Sequence, residues 1–104
     1  MTYVITEECV DSLDASCLPV CPVDAIYRGE RMFYIHPDEC VTCGACEYAC
    51  PVEAIFHEED LPSRMAHYAQ IAAEVFTPIG VPGSSKRHGP LGLDHPFVAA
   101  LPAR

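Results

Sequence analysis

Basic residues are scarce in this chain: 6 Lys and Arg against 15 Asp and Glu leave a formal net charge of −9. Phosphate-rich partners would be repelled, which excludes nucleic-acid binding. The same imbalance favours a partner with a basic face, met under a long-range attraction that salt weakens. Long apolar runs are missing too. The stretch 96–102 is far too short to cross a bilayer, so no membrane span is expected. The opening residues Met1-Thr2-Tyr3-Val4-Ile5-Thr6-Glu7-Glu8 lack the positive segment and apolar core of a secretion signal, and a cytoplasmic location is expected. Neither a phosphate-binding loop nor a Ser/His/Asp arrangement is present. Nothing reads as a catalytic site, and the chain is not expected to be an enzyme.

The chain has 104 residues, about half of them apolar, enough for one domain with its own core. A monomer is expected. Its seven cysteines are an odd number with no secretion signal before them, which argues against a disulfide framework and for metal.

Their spacing is organised by an internal repeat. Cys17-Leu18-Pro19-Val20-Cys21-Pro22-Val23-Asp24-Ala25-Ile26-Tyr27 matches Cys46-Glu47-Tyr48-Ala49-Cys50-Pro51-Val52-Glu53-Ala54-Ile55-Phe56 at an offset of 29. Upstream, Cys9 matches Cys40 at an offset of 31, so the first copy is longer by two residues. Two copies are too few for a solenoid and suit a small domain with a pseudo-twofold axis.

In the second copy, Cys40-Val41-Thr42-Cys43-Gly44-Ala45-Cys46-Glu47-Tyr48-Ala49-Cys50-Pro51 is C-x2-C-x2-C-x3-C-P. This is an iron–sulfur signature in which three close thiolates wrap one cluster and the fourth ligates a neighbouring one. Small residues at Gly44 and Ala45 leave room for cluster sulfides and for backbone N–H groups aimed at them. A zinc ribbon would want two separated pairs of cysteines, and three thiolates within seven residues fit zinc poorly.

The first copy reads C-x7-C-x3-C-P, with Ser12 where a second thiolate is due. Exchange of the fourth ligands then divides the cysteines. Cys21, Cys40, Cys43 and Cys46 make a four-thiolate site for a 4Fe-4S cluster, and Cys9, Cys17 and Cys50 make a three-thiolate site for a 3Fe-4S cluster. An oxygen from Asp11 or Asp14 could instead complete the second site as a fourth ligand. The plainer reading makes both solvated acids of an exposed loop that swings away from the vacant corner.

The coarse pattern is α+β. Residues 3–6 read as a first strand, 25–28 and 32–35 as a hairpin turning at Gly29-Glu30, and 54–57 as a last strand. One helical turn follows Cys17 and another follows Cys46, each closed by a proline. These elements bound a core of residues 1–57. Residues 58–104 read as an extension of the same domain. It begins with a helix at about 62–76, striped by Leu61, Met65, Tyr68, Ala72 and Val75, with Pro62 in its first turn. A Gly/Pro-rich tail follows, ordered by docking or else flexible, with a short helical turn near 95–101. His36 is expected to be a packed, hydrogen-bonded residue rather than a ligand, and His57, His67, His88 and His95 to lie at the surface. Tyr3, Tyr27, Tyr34 and Phe56 read as apolar shielding of the clusters, not as an electron path.

The repeat, the C-x2-C-x2-C-x3-C-P run and the linking segment 32–40 resemble the seven-iron bacterial-type ferredoxins, and the long Pro-rich tail resembles their actinobacterial members. The resemblance implies a ferredoxin-like β-α-β-β-α-β dicluster core with the C-terminal extension wrapped over it. It implies one 3Fe-4S and one 4Fe-4S cluster and the same ligand assignment. The function implied is one-electron transfer between a ferredoxin reductase and an acceptor redox enzyme, such as a haem-thiolate monooxygenase, docked on the acidic surface. The alternatives are an iron–sulfur subunit of a larger enzyme complex and a redox or iron sensor. Some members of the family keep a further cysteine in the first loop or after the first C-P; here Asp11, Ser12, Asp14 and Ala25 occupy those neighbourhoods, which speaks against cluster interconversion through a spare thiolate.

Overall fold

A computed structural model describes residues 2–11, 15–41, 43–51, 53–83, 85–91 and 93–102. Four three-residue strands form two antiparallel ribbons. β1 (Tyr3–Ile5) pairs with β4 (Ile55–His57), Val4 opposite Phe56, and β2 (Ile26–Arg28) pairs with β3 (Phe33–Ile35), Tyr27 opposite Tyr34. The strands thus fall where the sequence pattern put them, each trimmed by a residue. Between β1 and β2 the chain makes 3-10 turns at Glu7–Cys9 and Ala15–Val20; between β3 and β4 it makes a short helix, α1 (Ala45–Ala49). The Ala15–Val20 turn and α1 pack on each other. Pro51 ends α1, because the residue before a proline is pushed out of helical geometry, and Cys50 is accordingly extended (φ −77°, ψ 113°).

Side chains alternate across a strand, so the β2–β3 ribbon has two faces. Ile26 and Ile35 face the cysteines, and the Tyr27–Tyr34 pair points the other way. Both faces are buried. The second is covered by the extension. Pro62 is followed by a 3-10 turn, Ser63–Met65, and the regular helix α2 (His67–Phe76) starts only at His67, so Pro62 lies outside the helix expected to begin there. Met65, Tyr68, Ala72 and Val75 are buried as their spacing implied, together with Ile71 and Phe76. α2 rests on β1, and its last residue, Phe76, sets its ring 5.0 Å from that of Tyr27 and 4.4 Å from that of His36.

Beyond α2 the tail is docked, not free. The backbone N–H groups of Ser85 and Leu91 donate to the carbonyls of Asp24 and Arg28, each at 2.8 Å. His36 is buried, as expected, and its Nε2 donates to the Gly80 carbonyl at 2.7 Å while Nδ1 accepts from the Asp38 N–H. Glu39 takes the Tyr27 hydroxyl on one oxygen (2.7 Å) and the Gly83 N–H on the other (2.8 Å). Tyr34 donates its hydroxyl to Asp94 at 2.8 Å and accepts the His95 N–H. Burial is the main reason both tyrosine hydroxyls have pKa values raised above the ordinary. The tail carries two short helices, α3 (Ser85–His88) and α4 (Pro96–Ala99).

Arg31 fastens the far end. Its guanidinium forks onto Asp11 (2.7 and 3.0 Å) and donates to the carbonyls of Val98, Leu101 and Pro102. One side chain therefore ties the loop after Cys9 to the last described turn, and Val98 is fully buried beside it. Two histidines expected merely at the surface do more. His57 Nδ1 caps the 3-10 turn Glu58–Asp60, and His95 Nδ1 caps α4 while its Nε2 meets Glu74 at 2.6 Å. That contact holds the Glu74 carboxyl below its usual range, so its contribution is present above the ordinary carboxylate pKa and fades as pH falls through the lowered one. Among the described residues no helix is long and apolar enough to cross a membrane.

Gly29 explains why the tail fits so closely. A Cβ there would sit 2.5 Å from the Tyr34 ring and 2.6 Å from Asp94. Gly29→Ala should cost about 1–3 kcal/mol through overpacking, read as a lowered denaturant midpoint. Arg31→Ala should make bonds within 85–102 several-fold more susceptible to limited proteolysis, leaving the core intact; unchanged cleavage would mean the fork does not hold the tail.

Candidate iron–sulfur centre

Each cysteine is placed by a local element. Cys9 ends the 3-10 turn Glu7–Cys9, Cys17 lies inside Ala15–Val20, and Cys21 follows it. Cys40 and Cys43 lie on the connection into α1, Cys46 is within α1 and Cys50 caps it. All seven are free of disulfides. Cys9, Cys17 and Cys46 are buried, Cys21, Cys40 and Cys50 are half-buried, and Cys43 is exposed.

The repeat reappears as geometry. Asp24 and Glu53, its matching acids, both adopt left-handed backbone (φ 52° and 54°). At this bend the N–H of Ala25 reaches the Cys21 sulfur at 3.2 Å, and the N–H of Ala54 reaches the Cys50 sulfur at 3.4 Å. A third backbone donor, Phe33, points at the Cys9 sulfur from 3.5 Å. These three donors to cysteine sulfur lie one residue past the bend or on β3, where nothing in the sequence but the repeated Asp/Glu-Ala pair points to them.

Electrostatics divides the thiols into two neighbourhoods. The Cys46 thiol is pushed up to about 12, first by burial and then by Cys40, Cys21 and Cys43. The Cys17 thiol is also pushed up to about 12, by burial and then by Cys9, Cys50 and Cys46. Buried thiolates so close together cannot ionise alone, because each repels the next in a medium that screens poorly. A polynuclear cation removes that objection, and thiolate sulfur is the donor that iron–sulfur clusters take. The donor set fits such a group.

Cys21, Cys40, Cys43 and Cys46 line one cavity, walled by Tyr3, Val23, Ile26, Ile35 and Val41. Gly44 closes its rim with φ +81°, and a Cβ there would meet the Tyr3 hydroxyl at 2.8 Å. Tyr3 is thus a wall of this cavity. Asp11 is paired with Arg31 through both carboxylate oxygens, so it is not simply a solvated loop acid, and ligating iron would require breaking that fork. Ser12 and Asp14 lie outside the described residues.

Residues 33–56, which contain Cys40, Cys43, Cys46 and Cys50, match the 4Fe-4S binding domain family. A ferredoxin of Streptomyces griseus is 54% identical over 97% of this chain and 96% of its own length. One of Saccharopolyspora erythraea is 53% identical over 98% and 96%. The chain belongs to the ferredoxins. It is therefore an iron–sulfur electron-transfer protein rather than an enzyme. A relative named ferredoxin 7Fe, from Hydrogenibacillus schlegelii, is 53% identical over 73% of this ferredoxin and 97% of its own length.

Gly44→Ala combines a disfavoured φ with a clash and should cut iron incorporation well below wild type, measured as iron per chain and visible absorbance. Adding Tyr3→Phe removes the clashing hydroxyl and should restore part of it. No restoration would place the cost in the backbone alone.

Proposed function

We propose that this ferredoxin carries one 4Fe-4S cluster on Cys21, Cys40, Cys43 and Cys46 and one 3Fe-4S cluster on Cys9, Cys17 and Cys50. The observation that carries this reading is the single cavity lined by Cys21, Cys40, Cys43 and Cys46; Cys17 in turn feels Cys9 and Cys50 ahead of Cys46. In each set one cysteine comes from the other half of the repeat. The two ribbons and the two helical turns between them would then form a ferredoxin-like β-α-β-β-α-β core over residues 1–57, with residues 58–104 as a strap belonging to the same domain.

Bound clusters supply reversible one-electron chemistry. The chain decides how readily charge is held. Backbone N–H groups of Ala25, Ala54 and Phe33 aimed at the sulfurs of Cys21, Cys50 and Cys9 favour the extra electron. Burial of Cys9, Cys17 and Cys46 among apolar side chains opposes it. Tyr27 and Tyr34 are neutral at neutral pH, as tyrosines ordinarily are, and burial raises both pKa values further. The partners we propose are a ferredoxin reductase as donor and an acceptor redox enzyme of the haem-thiolate monooxygenase kind. The net charge of −9 supports docking on a basic face.

Exchange of ligands between the halves makes an unusual forecast. Cys50→Ala changes the second half of the repeat, yet it should remove the three-iron cluster and spare the four-iron one. Cys21→Ala changes the first half and should remove the four-iron cluster. Mössbauer spectra of iron-57-labelled variants distinguish the two. Loss of the four-iron cluster from Cys50→Ala would overturn the assignment.

A further inference from the structure

The two thiol neighbourhoods are not equally covered. On the Cys9 side the tail is pinned by Arg31 and by Asp94, and Cys9 and Cys17 are buried. Cys43, by contrast, is exposed, and so are two large apolar side chains, Val41 two residues before it at 57% and Tyr48 on α1 at 93%. Val41 and Cys43 share the cavity wall with Tyr3. The Tyr3 ring lies 5.2 Å from that of His57, which caps the 3-10 turn Glu58–Asp60, and its hydroxyl lies against Gly44, the N-cap of the helix α1 that carries Glu47 and Tyr48. Glu58 and Glu59 continue the acidic rim on the same 3-10 turn as Asp60, and all four acids are exposed. No salt bridge reaches any of them among the described residues.

A side chain as apolar and as exposed as Tyr48, near exposed acids, has the composition of an interface whose centre is aromatic and whose rim is charged. We propose that electrons enter and leave this ferredoxin through the Cys43 edge, where Val41 and Tyr48 form the apolar centre of a docking surface rimmed by Glu47 and Asp60. The partner it fits is a redox protein whose own cofactor edge is apolar and ringed by Lys and Arg. One electron passes from the reduced ferredoxin to the oxidised partner, with no bond or proton transferred. This rests on the cluster assignment above, which puts the four-iron cluster behind Cys43.

A strongly basic c-type cytochrome serves as probe, its reduction by photoreduced ferredoxin followed by stopped flow at several salt concentrations. Glu47→Lys and Asp60→Lys should each slow the reaction about three- to tenfold at low salt and flatten its salt dependence. Tyr48→Ala should slow it at every salt concentration. Glu30→Lys, on the exposed β2–β3 turn, changes net charge by the same amount as Glu47→Lys and should stay within about twofold of wild type. Equal slowing by Glu30→Lys would reduce the effect to net charge and overturn the port. So would wild-type rates for Tyr48→Ala together with Asp60→Lys. Iron content and reduction of a small neutral quinone, unchanged in these variants, show that the clusters are intact. A fault in the cluster assignment would appear in the cysteine variants and not here. Should Glu47→Lys lose iron, Asp60→Lys, on a turn that carries no cysteine, decides the matter.

Discussion

Thiolates repel one another, and this chain gathers them where water screens them least. Burial and neighbouring sulfurs push the Cys17 and Cys46 thiols up to about 12, so a lone thiolate is disfavoured at either position. Bound iron would make these sulfurs shared ligands, and such binding would couple to folding. Much follows from that constraint. The strands can be three residues long, and the helical turn holding Cys17 a single 3-10 segment, because the clusters themselves are the centre around which both halves close.

A small core filled by clusters has little apolar surface of its own, and the β2–β3 ribbon would leave Tyr27 and Tyr34 facing water. The extension answers that need. α2 supplies Phe76 against Tyr27, and the tail brings Asp94 to the Tyr34 hydroxyl, with Gly29 leaving room for it. Glu39, one residue before Cys40, binds both Tyr27 and the Gly83 N–H, so the cover is tied directly to the loop that carries three cysteines. Arg31 does the same for the loop after Cys9. The strap leaves Cys43, Val41 and Tyr48 exposed. Electron transfer needs such an asymmetry, since one edge must be shielded while another stays within reach of a partner.

Features that depend on spacing were legible in the sequence. The cysteine run, the repeat at an offset of 29, the stripe from Met65 to Val75 and the paired strands are periodic, and periodicity survives without coordinates. Contacts between distant residues were not. Asp11 read as a loop acid because nothing local shows that Arg31 grips it. Nothing in the sequence around Arg31 marks its role either, although its fork joins segments 20 and about 70 residues away. Tyr3 read as shielding, and only the fold brings its hydroxyl against Gly44. The tail looked like loop because its order comes from single hydrogen bonds to the core and not from a pattern of its own. The residues that would decide the open corner, Ser12 and Asp14, fall outside the described chain.

Electron paramagnetic resonance of the protein as isolated under argon, with iron and sulfide quantified on the same sample, reaches the central claim most directly. Our account requires about seven irons per chain and an oxidised three-iron signal, because three thiolates face one cluster and four face the other. About eight irons with no signal in the oxidised protein would contradict it, and would give the corner opposite Cys9, Cys17 and Cys50 a fourth ligand.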